Sequence, residues 1–307
     1  MSQDTQVRQL IQNNILNKKH VSDRFMPKFF FVMAFVSVFT TFGIIITLVT
    51  DAAKFFSQVP LAQVFSTKLA PLAAEPSFGI LPLITGTIIT SLIAMLVAVP
   101  VGLTAAIYLS QFASERTRRT LKPIMEVLAG IPTIVYGFFA YSFVTPLLMK
   151  LIPTLGAKNA LSPGLVMGIM IIPLVASLSE DAMNAVPNIM REGALGLGST
   201  RLEVTFKVVI PAAISGIMSS IVLAVSRAIG ETMIVTIASG SSKNFTLDIT
   251  QSMQTMTAYI VEFTSGDAGS GTVGYYSLYA VGLILFLFTL VMNLIAQHIS
   301  HKYREEY

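Results

Sequence analysis

The chain has 307 residues, of which 53% are apolar and only 12% charged, with a formal net charge of +4. A soluble domain carries about 25% charged residues, so half that level, arranged as long uncharged runs at a mean hydropathy of +0.72, excludes an ordinary soluble globule and indicates a polytopic membrane protein. Cysteine is absent, which excludes disulfide and cysteine–metal chemistry.

Residues 1–28 are polar and basic, with Arg8, Lys18, Lys19, Arg24 and Lys28. Val7, Leu10, Ile11 and Ile15 sit at helical spacing, consistent with a short surface helix or a solvated tail. The apolar run behind them is too long for a signal-peptide core and reads as an uncleaved first span.

Six apolar runs follow, at about 29–50, 84–110, 125–149, 162–182, 212–239 and 275–297, each able to cross a hydrocarbon core of about 30 Å. With the N-terminus inside, the inner segments hold fourteen Lys and Arg against five in the outer ones, leaving Arg227 within the membrane. Six spans with both termini cytoplasmic satisfy that bias. Pro60, Pro71, Pro76 and Pro82 argue against a long helix in the outer segment 51–83. The outer segment 241–274 mixes apolar and polar residues and predicts an amphipathic helix along the surface or dipping inward. Glu180 and Asp181 close the fourth span and read as solvated ends.

Between the fourth and fifth spans the residues spell a helix–turn–helix. Pro187 opens the first helix, Gly196 and Gly198 close it with a left-handed residue, and Thr200-x-x-Glu203 is a capping box for the second. Pro211 is expected to interrupt that second helix where the membrane begins. Such an elbow exceeds what a connecting loop requires. The chain carries no Walker A sequence: Gly240-Ser-Ser-Lys243-Asn lacks the first Gly and the Lys-Ser/Thr pair. Nucleotide hydrolysis, where involved, belongs to another chain.

Arg227 lies roughly 18 Å along the fifth span from its inner end at 1.5 Å per residue. A central Arg costs about 2.5–3.5 kcal/mol on insertion scales, so it requires a partner or water. Glu231, four residues on, is expected on the same face, continued by Ser220 and Gly216, while Gly216, Ser220, Ala224 and Ala228 form a small-residue ridge. Two readings stand: a structural ion pair locking helices, or an anion-transit site in which Glu231 holds Arg227 until an oxyanion displaces it. Glu126, near the inner end of the third span, is either a second partner for Arg227 or an interfacial side chain.

Glu192-Gly193-Ala194, then Gly198, then Val208-Val209-Ile210-Pro211 matches the spacing of the EAA loop and resembles bacterial ABC importer permeases, with Gly193, Val208 and Ile210 as departures. Arg227-Ala-Ile-Gly-Glu231-Thr-Met, Phe78 to Thr87 and Glu126 to Gly137 resemble the PstC-type permease subunit of the phosphate-specific (Pst) importer family. The resemblance implies an all-α protein of six transmembrane helices with a type I ABC importer permease core at 78–297. Before it come a cytoplasmic segment at 1–28 and a first span with its outer segment at 29–77; a cytoplasmic tail at 298–307 follows. It implies an ATPase-coupling surface of Arg191, Glu192, Gly193, Ala194, Gly198, Arg201 and Pro211, and a substrate path of Arg227, Glu231, Glu126 and Ser220. It also implies a bacterial inner-membrane location, a PstA-like permease partner, two copies of a PstB-like ATPase that binds ATP and Mg, and a periplasmic phosphate-binding protein. No cofactor, metal, catalytic residue or nucleic acid is expected of this chain itself. A permease for another oxyanion is the alternative. A stand-alone carrier would show inverted repeats with broken helices, and none is evident. A membrane enzyme would have to rest on His298-x-x-His301, which lacks a third ligand.

Overall fold

The computed structural model describes residues 7, 21–267, 269 and 271–302. The short helix expected near 7–15 and the end of the tail therefore fall outside the described residues, except for Val7. The chain divides into residues 1–51 and 52–307.

Helix α1 (Val21–Phe56) supplies nearly all of the described part of the first unit. Its apolar side chains, Phe30, Phe31, Phe35, Phe39 and Phe42 among them, are exposed. The hydroxyls of Thr40, Thr41, Thr47 and Thr50 each donate to the carbonyl four residues back, at 2.7–2.9 Å. In hydrocarbon such a hydroxyl has no water to turn to, so the helix satisfies it internally.

The second unit begins with the single turn α2 (Leu61–Val64) and an antiparallel pair, β1 (Leu69–Ala70) and β2 (Ser77–Phe78), with Leu69 opposite Phe78. The prolines keep this segment irregular, as expected. Helix α3 (Leu81–Ile107) starts with Pro82 in its first turn and runs into a π-turn at Tyr108–Phe112. Next come α4 (Glu115–Gly130), α5 (Thr133–Phe139), a π-turn at Ala140–Val144 and α6 (Thr145–Leu151). Helix α7 (Leu161–Asn184) leads to α8 (Asn188–Gly196). Helices α9 (Arg201–Val204) and α10 (Ile210–Ile229) are joined through a π-turn at Thr205–Val209, and α11 (Met233–Ala238), α12 (Met256–Glu262) and α13 (Val273–Lys302) complete the order.

Among the described residues six helical segments are long and apolar enough to cross a bilayer: Phe25–Phe56, Leu81–Phe112, Thr133–Leu151, Leu161–Asn184, Arg201–Ile229 and Val273–Ile295. The expected third run, 125–149, is not one helix. Pro132 pushes Ile131 into extended backbone (φ −66°, ψ 129°) and ends α4 at Gly130. The Leu128 carbonyl, deprived of the Pro132 N–H, instead accepts the Tyr136 hydroxyl at 2.8 Å. The expected run 212–239 is likewise divided, at Gly230–Thr232. Pro211, by contrast, does not interrupt its helix. The π-turn before it redirects the Ile210 N–H to the Thr205 carbonyl, so the chain stays helical from Arg201 to Ile229.

The core forms where α3, α7 and α10 meet, around Ala94, Ala98, Met167, Ile171, Val175, Ala224 and Ala228. Small residues set the approach. A Cβ added at Gly168 would lie 2.8 Å from the Ala94 carbonyl oxygen, and one at Gly216 would lie 2.5 Å from Ala182 Cβ. The ridge of Gly216, Ser220, Ala224 and Ala228 thus packs on α7. A second cluster joins Phe55, Phe78, Leu83, Met256, Tyr259 and Val281 at the end remote from the elbow. Segment 241–274 contributes to it from inside: α12 buries Met256 and Tyr259 completely, and the Tyr259 and Ser277 hydroxyls lie 2.7 Å apart. Of the two placements expected for a helix there, the inward one is found, while Phe245 and Leu247 before it stay exposed on non-helical chain.

Candidate functional site

A cavity of about 470 Å³ opens between α4, α7 and α10, lined by Lys122, Met125, Glu126, Met170, Ser177 and Arg227, among others. Arg227 sits in the last turn of α10 and is exposed. Its one side-chain contact among the described residues is a weak donation from Nη2 to Met170 Sδ at 3.7 Å. A guanidinium has five donors in a planar fork, so most of this one remains available to a solute. Glu126 reaches the same cavity from α4 and is also exposed. Of the two cations on the lining, Lys122 is engaged by Glu180 and Asp181, which leaves Arg227 as the cation open to a small anion.

The structure separates the other two residues of the expected path from this cavity. Glu231 does not face Arg227, because the helix ends at Gly230 before the next turn can bring them together. The Glu231 carboxylate instead accepts the Met233 and Ile234 N–H groups at 3.2 and 3.4 Å, capping α11, while its main-chain oxygen accepts the Thr257 hydroxyl at 2.8 Å. No ion pair joins Arg227 to Glu231 among the described residues. Ser220 is buried, with its hydroxyl 2.7 Å from that of Ser179, and fastens α10 to α7.

Glu180 is the residue that sequence reasoning misplaced. It is not a solvated helix end but fully buried, with Arg118 Nε and Nη2 at 2.7 and 2.5 Å from its Oε1 and Lys122 Nζ at 3.2 Å from its Oε2. Asp181 lies 3.8 Å from the same Lys122 ammonium. Arg118, Lys122 and Glu126 fall at i, i+4 and i+8, a single charged stripe of α4 turned toward α7, while Ile124 and Val127 are exposed on other faces. Removing one partner of such a buried pair typically costs about 3–5 kcal/mol. Sixty-two residues separate Arg118 from Glu180, and nothing local in the sequence connects them.

The elbow forms as its residues dictate. Pro187 precedes α8, Gly198 takes the left-handed conformation at φ 89°, and Thr200 and Glu203 complete a reciprocal capping box. Glu192, Gly193, Gly198 and Arg201 are exposed, as are Ile189 (78%) and Leu197 (90%), so the elbow presents an apolar surface with open backbone around its glycines. Pro211 is exposed, whereas Ala194 is half-buried against the cluster of Val186, Val204 and Val209. Arg191 points inward and donates to the Met183 carbonyl at the end of α7. His298 is exposed, the His301 side chain lies outside the described residues, and no cluster of three metal-ligating side chains occurs among the described residues.

The family model for "Binding-protein-dependent transport system inner membrane component" matches residues 98–305. Curated relatives include the probable ABC transporter permease protein YqgH of Bacillus subtilis, 30% identical over 79% of this chain and 78% of that one. The phosphate transport system permease protein PstC of Mesorhizobium japonicum is 34% identical over 83% of each chain. Among solved structures, a chain of a bacterial alginate ABC transporter in complex with an alginate pentasaccharide-bound periplasmic protein superposes with a TM-score of 0.65 at 13% identity, covering 94% of this chain and 99% of that one. A chain of the inward-facing MetNI methionine ABC transporter gives a TM-score of 0.56 at 13% identity over 74% and 95%. These structural likenesses identify the fold.

Proposed function

This chain belongs to the family of binding-protein-dependent transport system inner membrane components, and from that premise we propose that it is the permease subunit of an ATP-driven importer of inorganic phosphate. It is a multi-pass inner-membrane protein with the ABC importer permease fold. Phosphate as the substrate is supported by the Mesorhizobium relative and by the cavity. Arg227, with a guanidinium whose one hydrogen bond among the described residues is weak and which lines the cavity, is the observation that carries the reading. Planar N–H pairs match a tetrahedral oxyanion, and Glu126 in the same cavity keeps the attraction from becoming a trap.

The chain provides one half of a translocation path, the other half coming from a PstA-like permease. A periplasmic phosphate-binding protein delivers the anion, and two copies of a PstB-like ATPase, holding ATP and Mg, drive the cycle. The elbow is the surface for that ATPase: exposed Ile189 and Leu197 give it an apolar face, with Glu192, Gly193, Gly198 and Arg201 beside them. This chain performs no catalysis. Both termini are cytoplasmic, as the excess of inner Lys and Arg supports, with segments at 1–28, 29–77, 78–297 and 298–307.

Arg227→Gln tests the reading. In the assembled complex, reconstituted in liposomes with ATP, the variant is expected to assemble normally and to lose at least nine-tenths of radiolabelled phosphate uptake. Wild-type uptake by the variant would refute the anion path. Uptake of sulfate but not phosphate by the wild type would reassign the substrate to another oxyanion.

A further inference from the structure

We propose that Lys122 is a second anion-binding group of this path, held by Glu180 and Asp181 when the cavity is empty and taken over by the anion as it leaves Arg227. The inference rests on the reading of the cavity as an anion path. Lys122 lines the same cavity as Arg227 and is also the outer member of the buried cluster on α7.

The two cations at Glu180 are not equivalent. Arg118 engages Oε1 through two nitrogens, and Asn184 Nδ2 adds a long contact at 3.4 Å. Oε2 is buried and accepts no hydrogen bond, although the Lys122 ammonium lies 3.2 Å away. Lys122 thus supplies charge to Oε2 without a directed bond. When it departs, Arg118 still neutralises Glu180, so the carboxylate is never buried as a bare charge.

The Lys122 side chain is 36% exposed and carries its charge on a flexible four-carbon stem. It can swing between Glu180 and the cavity with no movement of α4. Its own ammonium, three donors in a compact head, offers an oxyanion a point charge in place of the Arg227 fork. Transfer from a planar clamp to a mobile charge already satisfied elsewhere moves the anion without leaving it unpaired. Glu180 then recaptures Lys122 and expels the anion by restoring the resting pair.

The test uses the complete complex in liposomes with ATP and radiolabelled inorganic phosphate. Lys122→Gln is expected to assemble, to slow maximal uptake about tenfold and to leave the apparent KM near wild type, because capture falls to Arg227. Lys122→Cys should be equally slow and recover on modification with aminoethyl methanethiosulfonate, with treated wild type as control; the chain has no other cysteine. Glu180→Gln, which removes the group that recaptures the ammonium, should lower maximal uptake and make what remains several-fold more sensitive to phosphate added on the ATP side. If Lys122 only pins α4 to α7, Glu180→Gln in an intact complex would lower uptake with no change in that sensitivity, and the proposal fails. It also fails if Lys122→Gln transports at the wild-type rate while Arg227→Gln does not, which leaves the anion path intact. A wild-type complex that takes up no phosphate overturns the substrate reading and this proposal together.

Discussion

Arg191 Nη2 donates to the Met183 carbonyl at 2.5 Å, eight residues back across the turn between α7 and α8. That carbonyl belongs to the last turn of α7, where it also accepts the Val186 N–H at 3.3 Å and a cation is favoured by the helix dipole. The elbow is therefore tied to the helix that carries Glu180 as well as to the helix that carries Arg227.

Arg191→Ala is expected to loosen α8 from α7 by about 1.5–3 kcal/mol, the worth of a hydrogen bond from a charged donor, since the Met183 carbonyl keeps the Val186 N–H. Hydrogen exchange of the amides in 188–200 should accelerate, while exchange in α3 stays unchanged. Arg191→Lys should recover part of the protection.

Glu192→Lys should leave the stability of this chain within about 0.5 kcal/mol, since the residue is exposed and makes no side-chain hydrogen bond or ion pair among the described residues. Co-purification of the ATPase and coupled uptake are both expected to fall. Unaltered recruitment with full transport would remove Glu192 from the coupling surface.

Glu231 separates capping from ion pairing. Glu231→Gln keeps an acceptor oxygen for the Met233 and Ile234 N–H groups and should retain most of the fold and of the uptake. Glu231→Ala loses both bonds, at about 0.5–2 kcal/mol, and should lower the thermal midpoint of the chain. Equal loss of uptake in both variants at unchanged stability would restore the charge of Glu231 to the path.

Gly168→Ala tests a close helix contact in the core. The added methyl would stand 2.8 Å from both the Ala94 carbonyl oxygen and Val97 Cβ, so α3 must shift. Overpacking of this kind costs about 1–3 kcal/mol. Thermal unfolding in detergent should show a lower midpoint, with Gly43→Ala, where nothing lies within 4 Å, as an indifferent control.

Local chemistry was legible where it decides the backbone within a few residues. Pro187, Gly198 and the Thr200–Glu203 box each specify one conformation, and the elbow follows. The six apolar runs were equally legible. What the sequence concealed depends on breaks inside apolar runs and on contacts between distant segments. The apolar run continues past Ile131–Pro132, and Gly230 alone does not announce a helix end, so α4 merged with the third span, and Glu231 fell on the wrong face. The likeness to known permeases pointed to Arg227 and Glu126, which the cavity brings together. Lys122 and Glu180 carry no local signal because their relation exists only after α4 has folded against α7.

The unbroken helix from Arg201 to Ile229 has a geometric corollary. Arg201 and Arg227 stand about 39 Å apart along it at 1.5 Å per residue. With Pro211 spliced in rather than hinged, a tilt of roughly five degrees at the elbow sweeps the guanidinium through about 3 Å, a full hydrogen-bond length. An angular change too slight to register as a domain movement is thus large enough to decide whether an anion is gripped or let go.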